Sequence, residues 1–134
     1  MKKILVIDDE KEIVDLICKE LQEDYEVLTA CNGQDGLHAL EKNEISLVIL
    51  DIMMPGIDGL EVCRRIRSFS NIPIIMVSAK SQEQDKISGL TEGADDYLTK
   101  PFSTPELRAR VTSQITRYTY LNSNYVKRQS IEAK

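Results

Sequence analysis

Apolar residues in this chain come in short unbroken runs, separated by stretches with a helical repeat. Ile4-Leu5-Val6-Ile7, Leu47-Val48-Ile49-Leu50 and Ile74-Ile75-Met76-Val77 carry no polar interruption, and Glu26 to Ala30 and Tyr97-Leu98-Thr99 are weaker versions. A run without polar alternation reads as a strand buried on both faces, as in a parallel sheet covered by helices. Between the runs the period lengthens. Ile13, Leu16, Ile17 and Leu21 mark a first helix, whose acidic start at Asp9-Glu10 suits the positive end of its dipole. Asn32-Gly33 turns the chain into a helix with Leu37 and Leu40, and Asp58-Gly59 precedes one with Leu60, Cys63 and Ile66. A weaker helix carries Ile87 and Leu90 and stops at Gly93. The last begins near Ser103-Thr104-Pro105-Glu106, a capping box with a first-turn proline, and runs through Leu107, Val111 and Ile115 to about Tyr118. Five strand–helix units predict an α/β domain built on a doubly wound five-stranded parallel sheet with five helices. The apolar period ends near Leu121, so residues 1–120 are expected to fold and 121–134 to form a linker or disordered tail.

Composition removes several function classes. The net charge is −5 and the pI near 4.9, which disfavours direct binding to nucleic acid or an anionic membrane. No apolar run approaches the roughly 18 residues that span a bilayer. Met1-Lys2-Lys3 opens like a signal peptide, but Asp8-Asp9 ends its apolar run too soon for one. A cytoplasmic location is the expectation. Cys18, Cys31 and Cys63 are scattered and odd in number, with no CxxC spacing, and read as core-filling thiols. His38 is the single histidine, which speaks against a His-based metal site or triad.

The chemistry sits where the strands end. In an open α/β sheet, ligands bind beyond the carboxyl ends of the strands. The first strand ends at Asp8-Asp9, the third at Asp51, the fourth at Ser78 and the fifth at Lys100-Pro101. Three carboxylates at one rim repel one another and raise one another's pKa, and a hard divalent ion such as Mg²⁺ relieves that cost. Asp51 is then either a nucleophile toward phosphorus or a passive metal ligand. Lys100 can pair with a carboxylate or a phosphoryl group, and Ser78 can donate its hydroxyl to a phosphoryl oxygen. The Lys100-Pro101 bond is compatible with a cis isomer, which sequence does not decide.

These pieces together, VIDDE at Val6–Glu10, DIMMPGIDG at Asp51–Gly59, VSAK at Val77–Lys80 and GADDYLTKPF at Gly93–Phe102, resemble the receiver domain of bacterial two-component response regulators. The resemblance runs from about Lys2 to Tyr118. It implies a flavodoxin-like sheet with strand order 2-1-3-4-5, and phosphorylation of Asp51 by a sensor histidine kinase. It further implies Mg²⁺ on Asp9, Asp51 and the backbone carbonyl of Met53, with Asp8 acting mainly through water. Ser78 and Lys100 would bind the phosphoryl oxygens, and Tyr97 would be a switch aromatic that turns inward as Ser78 is drawn to the phosphate. Further detail resembles the OmpR/PhoB subfamily, whose receivers dimerise through the fourth helix, fifth strand and fifth helix. That pattern implies intermolecular pairs Lys86–Glu106, Asp96–Arg110 and Asp95–Arg117, with Ile87 and Leu90 supplying apolar contact.

In that subfamily the receiver is followed by a DNA-binding domain, so this chain is expected to reach DNA only through an output domain outside it. The alternative is a stand-alone receiver acting as a phosphate shuttle or interaction switch. Two other classes fit less well. A flavodoxin needs a hydroxyl- and glycine-rich phosphate loop where Asp8-Asp9-Glu10 stands. A haloacid-dehalogenase phosphatase needs a second Asp two residues beyond the nucleophile, where this chain has Met53. A turnover enzyme is therefore not expected.

Overall fold

The apolar runs become the strands of one sheet. The computed structural model describes residues 1–80 and 82–132, with side chains through Leu121. The strands are β1 (Lys3–Ile7), β2 (Glu26–Ala30), β3 (Leu47–Asp51), β4 (Ile74–Ser78) and β5 (Asp96–Thr99), all parallel, in the order β2-β1-β3-β4-β5. The helices are α1 (Lys11–Leu21), α2 (Gly33–Lys42), α3 (Gly59–Arg67), α4 (Glu83–Thr91) and α5 (Thr104–Glu132). The expected α/β architecture and strand order are both present.

Alternate residues of each run face opposite sides of the sheet. Leu5, Ile7, Val48, Leu50, Ile74 and Met76 form one core with Val62, Cys63 and Ile66 of α3 and with Leu37 and Leu40 of α2. Ile4, Val6, Leu47, Ile49, Ile75 and Val77 form the other with Ile17 and Leu21 of α1 and Leu107, Val111 and Ile115 of α5. Both faces of β1, β3 and β4 are therefore dry, which is why their sequences lack alternation. The edge strand β2 is half exposed, and its sequence signal is correspondingly weak.

Helix entries follow the capping residues. Asn32 accepts the Asp35 N–H at 2.8 Å, Asp58 the Glu61 N–H at 2.9 Å, and Ser103 the Glu106 N–H at 3.3 Å. Gly93, at φ +113°, reverses the chain after α4.

Two expectations are corrected. The last helix does not stop near Tyr118 but continues to Glu132. No Gly or Pro follows Pro105 to end it, and Asn and Ser cost a helix only about 0.5–0.7 kcal/mol each. The loss of apolar period marks where the helix leaves the sheet, as the exposed Tyr120 and Leu121 show. Of the three cysteines, all free, only Cys63 fills the core. Its thiol donates to the Glu92 carbonyl, and burial pushes its pKa up to about 11. Cys18 is half-buried and Cys31, just past the edge strand, is exposed.

Candidate functional site

The topology gathers the strand-end residues at one rim. Asp8 and Asp9 leave β1, Asp51 ends the adjacent β3, Ser78 ends β4, and Lys100 follows β5. Oxygens of Asp8, Asp9 and Asp51 lie within 4.8 Å of one another. Asp9 is exposed, whereas Asp8 is buried and Asp51 is 2% exposed.

Backbone groups hold the two buried carboxylates. Asp8 Oδ1 accepts the Glu10 N–H at 2.9 Å, and Asp51 Oδ1 accepts the Met53 N–H at 3.2 Å. Each leaves its Oδ2 facing Lys100, whose Nζ is 2.9 Å from Asp8 Oδ2 and 3.5 Å from Asp51 Oδ2. The Lys100 side chain is 8% exposed and reaches Glu10 as well, at 3.0 Å. Burial alone pulls its pKa down, but the surrounding carboxylates outweigh that and raise it, so the ammonium stays charged.

Burial, and then the charge of Asp8, push the Asp51 carboxyl up to about 7, against the lowering effects of Lys100 and the Met53 N–H. One ammonium does not neutralise this rim. Among the described residues no well-aligned donor satisfies Asp8 Oδ2, close as Lys100 is. A buried oxygen whose nearby ammonium is poorly aligned, in a set of hard carboxylate donors, one of them open to solvent, fits a strongly hydrated divalent cation. Ser78 is fully buried, and its Oγ accepts the Lys80 N–H at 3.2 Å. The Lys100 N–H donates to the Ser78 carbonyl at 2.8 Å, and the Lys100-Pro101 peptide that follows is cis. A buried carboxylate, two further aspartates, a hydroxyl and an ammonium thus converge at one rim, a set with the chemistry to receive a phosphoryl group.

Residues 4–112 match the response regulator receiver domain family. The chain belongs to that family. It is 51% identical over 117 residues to the regulatory protein VanR of Enterococcus faecium, covering 87% of this chain and 51% of VanR, so it spans about half of that relative. Among solved structures, the receiver domain of the Francisella response regulator 1452 superposes with a TM-score of 0.83 at 37% identity, covering 88% of this chain and 99% of that one. The BeF3-activated receiver domain of DrrB, an OmpR/PhoB homologue from Thermotoga maritima, gives 0.81 at 34%, covering 87% and 98%. The chain is an OmpR/PhoB-like receiver of a two-component response regulator. Receivers of this family bind Mg²⁺ at such an acidic pocket.

The remaining expected residues of this receiver lie on the α4–β5–α5 side. Tyr97 points inward, and its hydroxyl donates to the Lys80 carbonyl at 2.8 Å. Ile87 and Leu90 are 50% and 48% exposed. Four of the six charges, however, are already engaged within one chain. Arg110 bridges Asp96 at 2.6 Å and Glu106 at 3.1 Å, and Asp95 pairs with Arg67 at 2.8 Å. Lys86 lines a pocket of about 280 Å³ with Tyr97, Phe102 and Arg110, while Arg117 lines another beside Asp95. Any dimer must share or exchange these partners.

Two residues escaped the sequence reading. Glu10 is expected at a helix start and within a motif but not on Lys100, yet it is the third carboxylate there. Arg67 donates to the carbonyls of Gly93 and Ile72 as well as to Asp95, tying α3 to the turn before β5. Neither contact leaves a local signature, because the partners lie 90 and 28 residues apart in Glu10–Lys100 and Arg67–Asp95.

Proposed function

We propose that Asp51 accepts a phosphoryl group from the phosphohistidine of a sensor histidine kinase. The observation that carries this is the buried Asp51 carboxylate, set against Lys100 and within 4.8 Å of two further aspartates. A carboxylate oxygen attacks phosphorus, the P–N bond to the donor imidazole breaks, and the imidazole leaves with its electron pair and takes up a proton. Lys100 and the Ser78 hydroxyl hold the oxygens of the transferred group. Asp9, Asp51 and the Met53 carbonyl would ligate Mg²⁺, with Asp8 acting through water. When bound, the ion neutralises phosphoryl oxygens. Met53 stands where a phosphatase of the aspartyl type needs a second acid, which favours a stable acyl phosphate over turnover.

Tyr97 would be the switch, its buried ring, bonded through the hydroxyl to the Lys80 carbonyl, standing in the inward position of that switch. The exposed Ile87 and Leu90 support homodimerisation on phosphorylation. That face would also use Lys86, Asp95, Asp96, Glu106, Arg110 and Arg117. Residues 121–134 would connect the receiver to an output domain that binds DNA. Among the described residues no helix is long and apolar enough to cross a membrane, and the kinase reading places the protein in the cytoplasm. Incubation with acetyl phosphate and Mg²⁺, followed by intact mass, tests the assignment. Wild type gains one phosphoryl group and Asp51→Asn gains none. Continuous release of phosphate from phosphomonoesters, or a phosphopeptide containing Ser78, would overturn it.

A further inference from the structure

α4 is seated unlike its companions. α1, α3 and α5 bury branched side chains, and α2 packs Leu37 and Leu40 on the core. In α4 the buried residue is Gly89, while Ile87 and Leu90 stand out in solvent. A Cβ on Gly89 would lie 2.8 Å from Met76 Sδ and 3.1 and 3.3 Å from Cδ2 and Cε2 of Tyr97. Met76 is fully buried, and the Tyr97 ring is pinned at its far end by the hydroxyl bond to the Lys80 carbonyl. The ring therefore rests on bare helix backbone. Helix propensity works against this choice, because glycine is the poorest helix former after proline. Propensity and packing thus predict opposite outcomes for a methyl at this position.

We infer that Gly89 is the positioning residue for the switch: its missing side chain is the space that lets Tyr97 lie inside. This rests on the reading of Tyr97 given above. A methyl at position 89 forces Met76 or the ring to give way, and Met76 is fully buried in a close-packed core. The ring does have a way out. It borders the pocket lined by Lys86, Phe102 and Arg110. An outward ring would fill that pocket and obstruct the face carrying the proposed dimer contacts. Phosphorylation and dimerisation would then separate, since Gly89 takes no part in the phosphoacceptor chemistry.

The test compares wild type, Gly89→Ala, Gly89→Val and the two double variants with Tyr97→Ala. Tetranitromethane nitration of Tyr97, read by peptide mass, reports ring exposure. Sedimentation with beryllofluoride reports dimerisation, and acetyl phosphate uptake reports the chemistry. In Gly89→Ala, Tyr97 nitration should rise and the dimer weaken by about tenfold, the population shift expected of one overpacked methyl. Gly89→Val should do more, and phosphoryl uptake should stay at the wild-type level in both. Unchanged nitration and dimerisation in a more stable Gly89→Ala would overturn the inference, leaving only propensity at work. If the substitutions unfold the chain even with Tyr97→Ala, the clash is with Met76 alone and the inference also fails. A wild type that stays monomeric with beryllofluoride sinks the switch reading instead, while nitration still decides whether Gly89 seats the ring.

Discussion

Mg²⁺ should stabilise this receiver by an amount that depends on pH, because the ion and a proton compete for Asp51. Burial and the charge of Asp8 hold the Asp51 carboxyl at about 7, well above an unfolded aspartate near 3.9. A raised folded pKa means that the proton favours the folded state. That contribution is complete below about pH 4 and is lost as pH rises through about 7. Cation binding requires the carboxylate, so the Mg²⁺ contribution grows over the same interval. At pH 8, ten times the dissociation constant gives RT ln 11, about 1.4 kcal/mol. For 134 residues the unfolding entropy is roughly 280 cal/mol/K, so the melting temperature rises by about 5 °C. At pH 6 Asp51 is mostly protonated and the same Mg²⁺ is diluted about tenfold in effect. The gain then falls to about 0.4 kcal/mol, or about 1.5 °C. Scanning calorimetry at both pH values with and without Mg²⁺ measures this directly. Asp9→Asn should remove most of the shift. A shift equal at pH 6 and pH 8 would refute the coupling, and none at several millimolar Mg²⁺ would refute the metal site.

Lys100→Met strips the ammonium from two buried carboxylates and should cost about 3 kcal/mol in urea unfolding without Mg²⁺, with part of the loss recovered when Mg²⁺ is added. Arg67→Ala removes the ion pair to Asp95, whose Oδ2 keeps the Ile74 N–H, and orphans the Gly93 and Ile72 carbonyls, so it should destabilise the fold by about 3 kcal/mol in the same assay. Because Arg110 and Asp96 already pair within one chain, restoring charge on a single chain does not prove an intermolecular contact. Mixing Arg110→Glu chains with Asp96→Arg chains does: beryllofluoride should drive a heterodimer in sedimentation while each variant alone stays monomeric, and a mixture that stays monomeric removes this pair from the interface.

The strands were legible because burial on both faces forces unbroken apolar runs, and the site was legible because such sheets bind ligands at their carboxyl ends. Asp8, Asp9, Asp51, Ser78 and Lys100 all stand at those ends. What sequence hid was contact between distant side chains. Glu10 on Lys100, Arg67 on Asp95, and Arg110 on Asp96 are pairings of charged residues that any surface loop or helix could carry. The end of α5 was misread for a different reason: apolar periodicity reports contact with the sheet, and a helix with no breaker outlasts that contact.

The two halves of the site hang on strands of unequal security. Asp8 and Asp9 follow β1 and Asp51 ends β3, interior strands clamped from both sides. Lys100 follows β5, a four-residue strand that pairs with β4 alone. Edge strands fray first, and fraying here would withdraw the ammonium while leaving the acidic cluster assembled. A partly opened receiver would then keep its acidic cluster yet lack the lysine proposed to steady the phosphoryl group. Cation binding and chemical competence would then be separable properties of this domain.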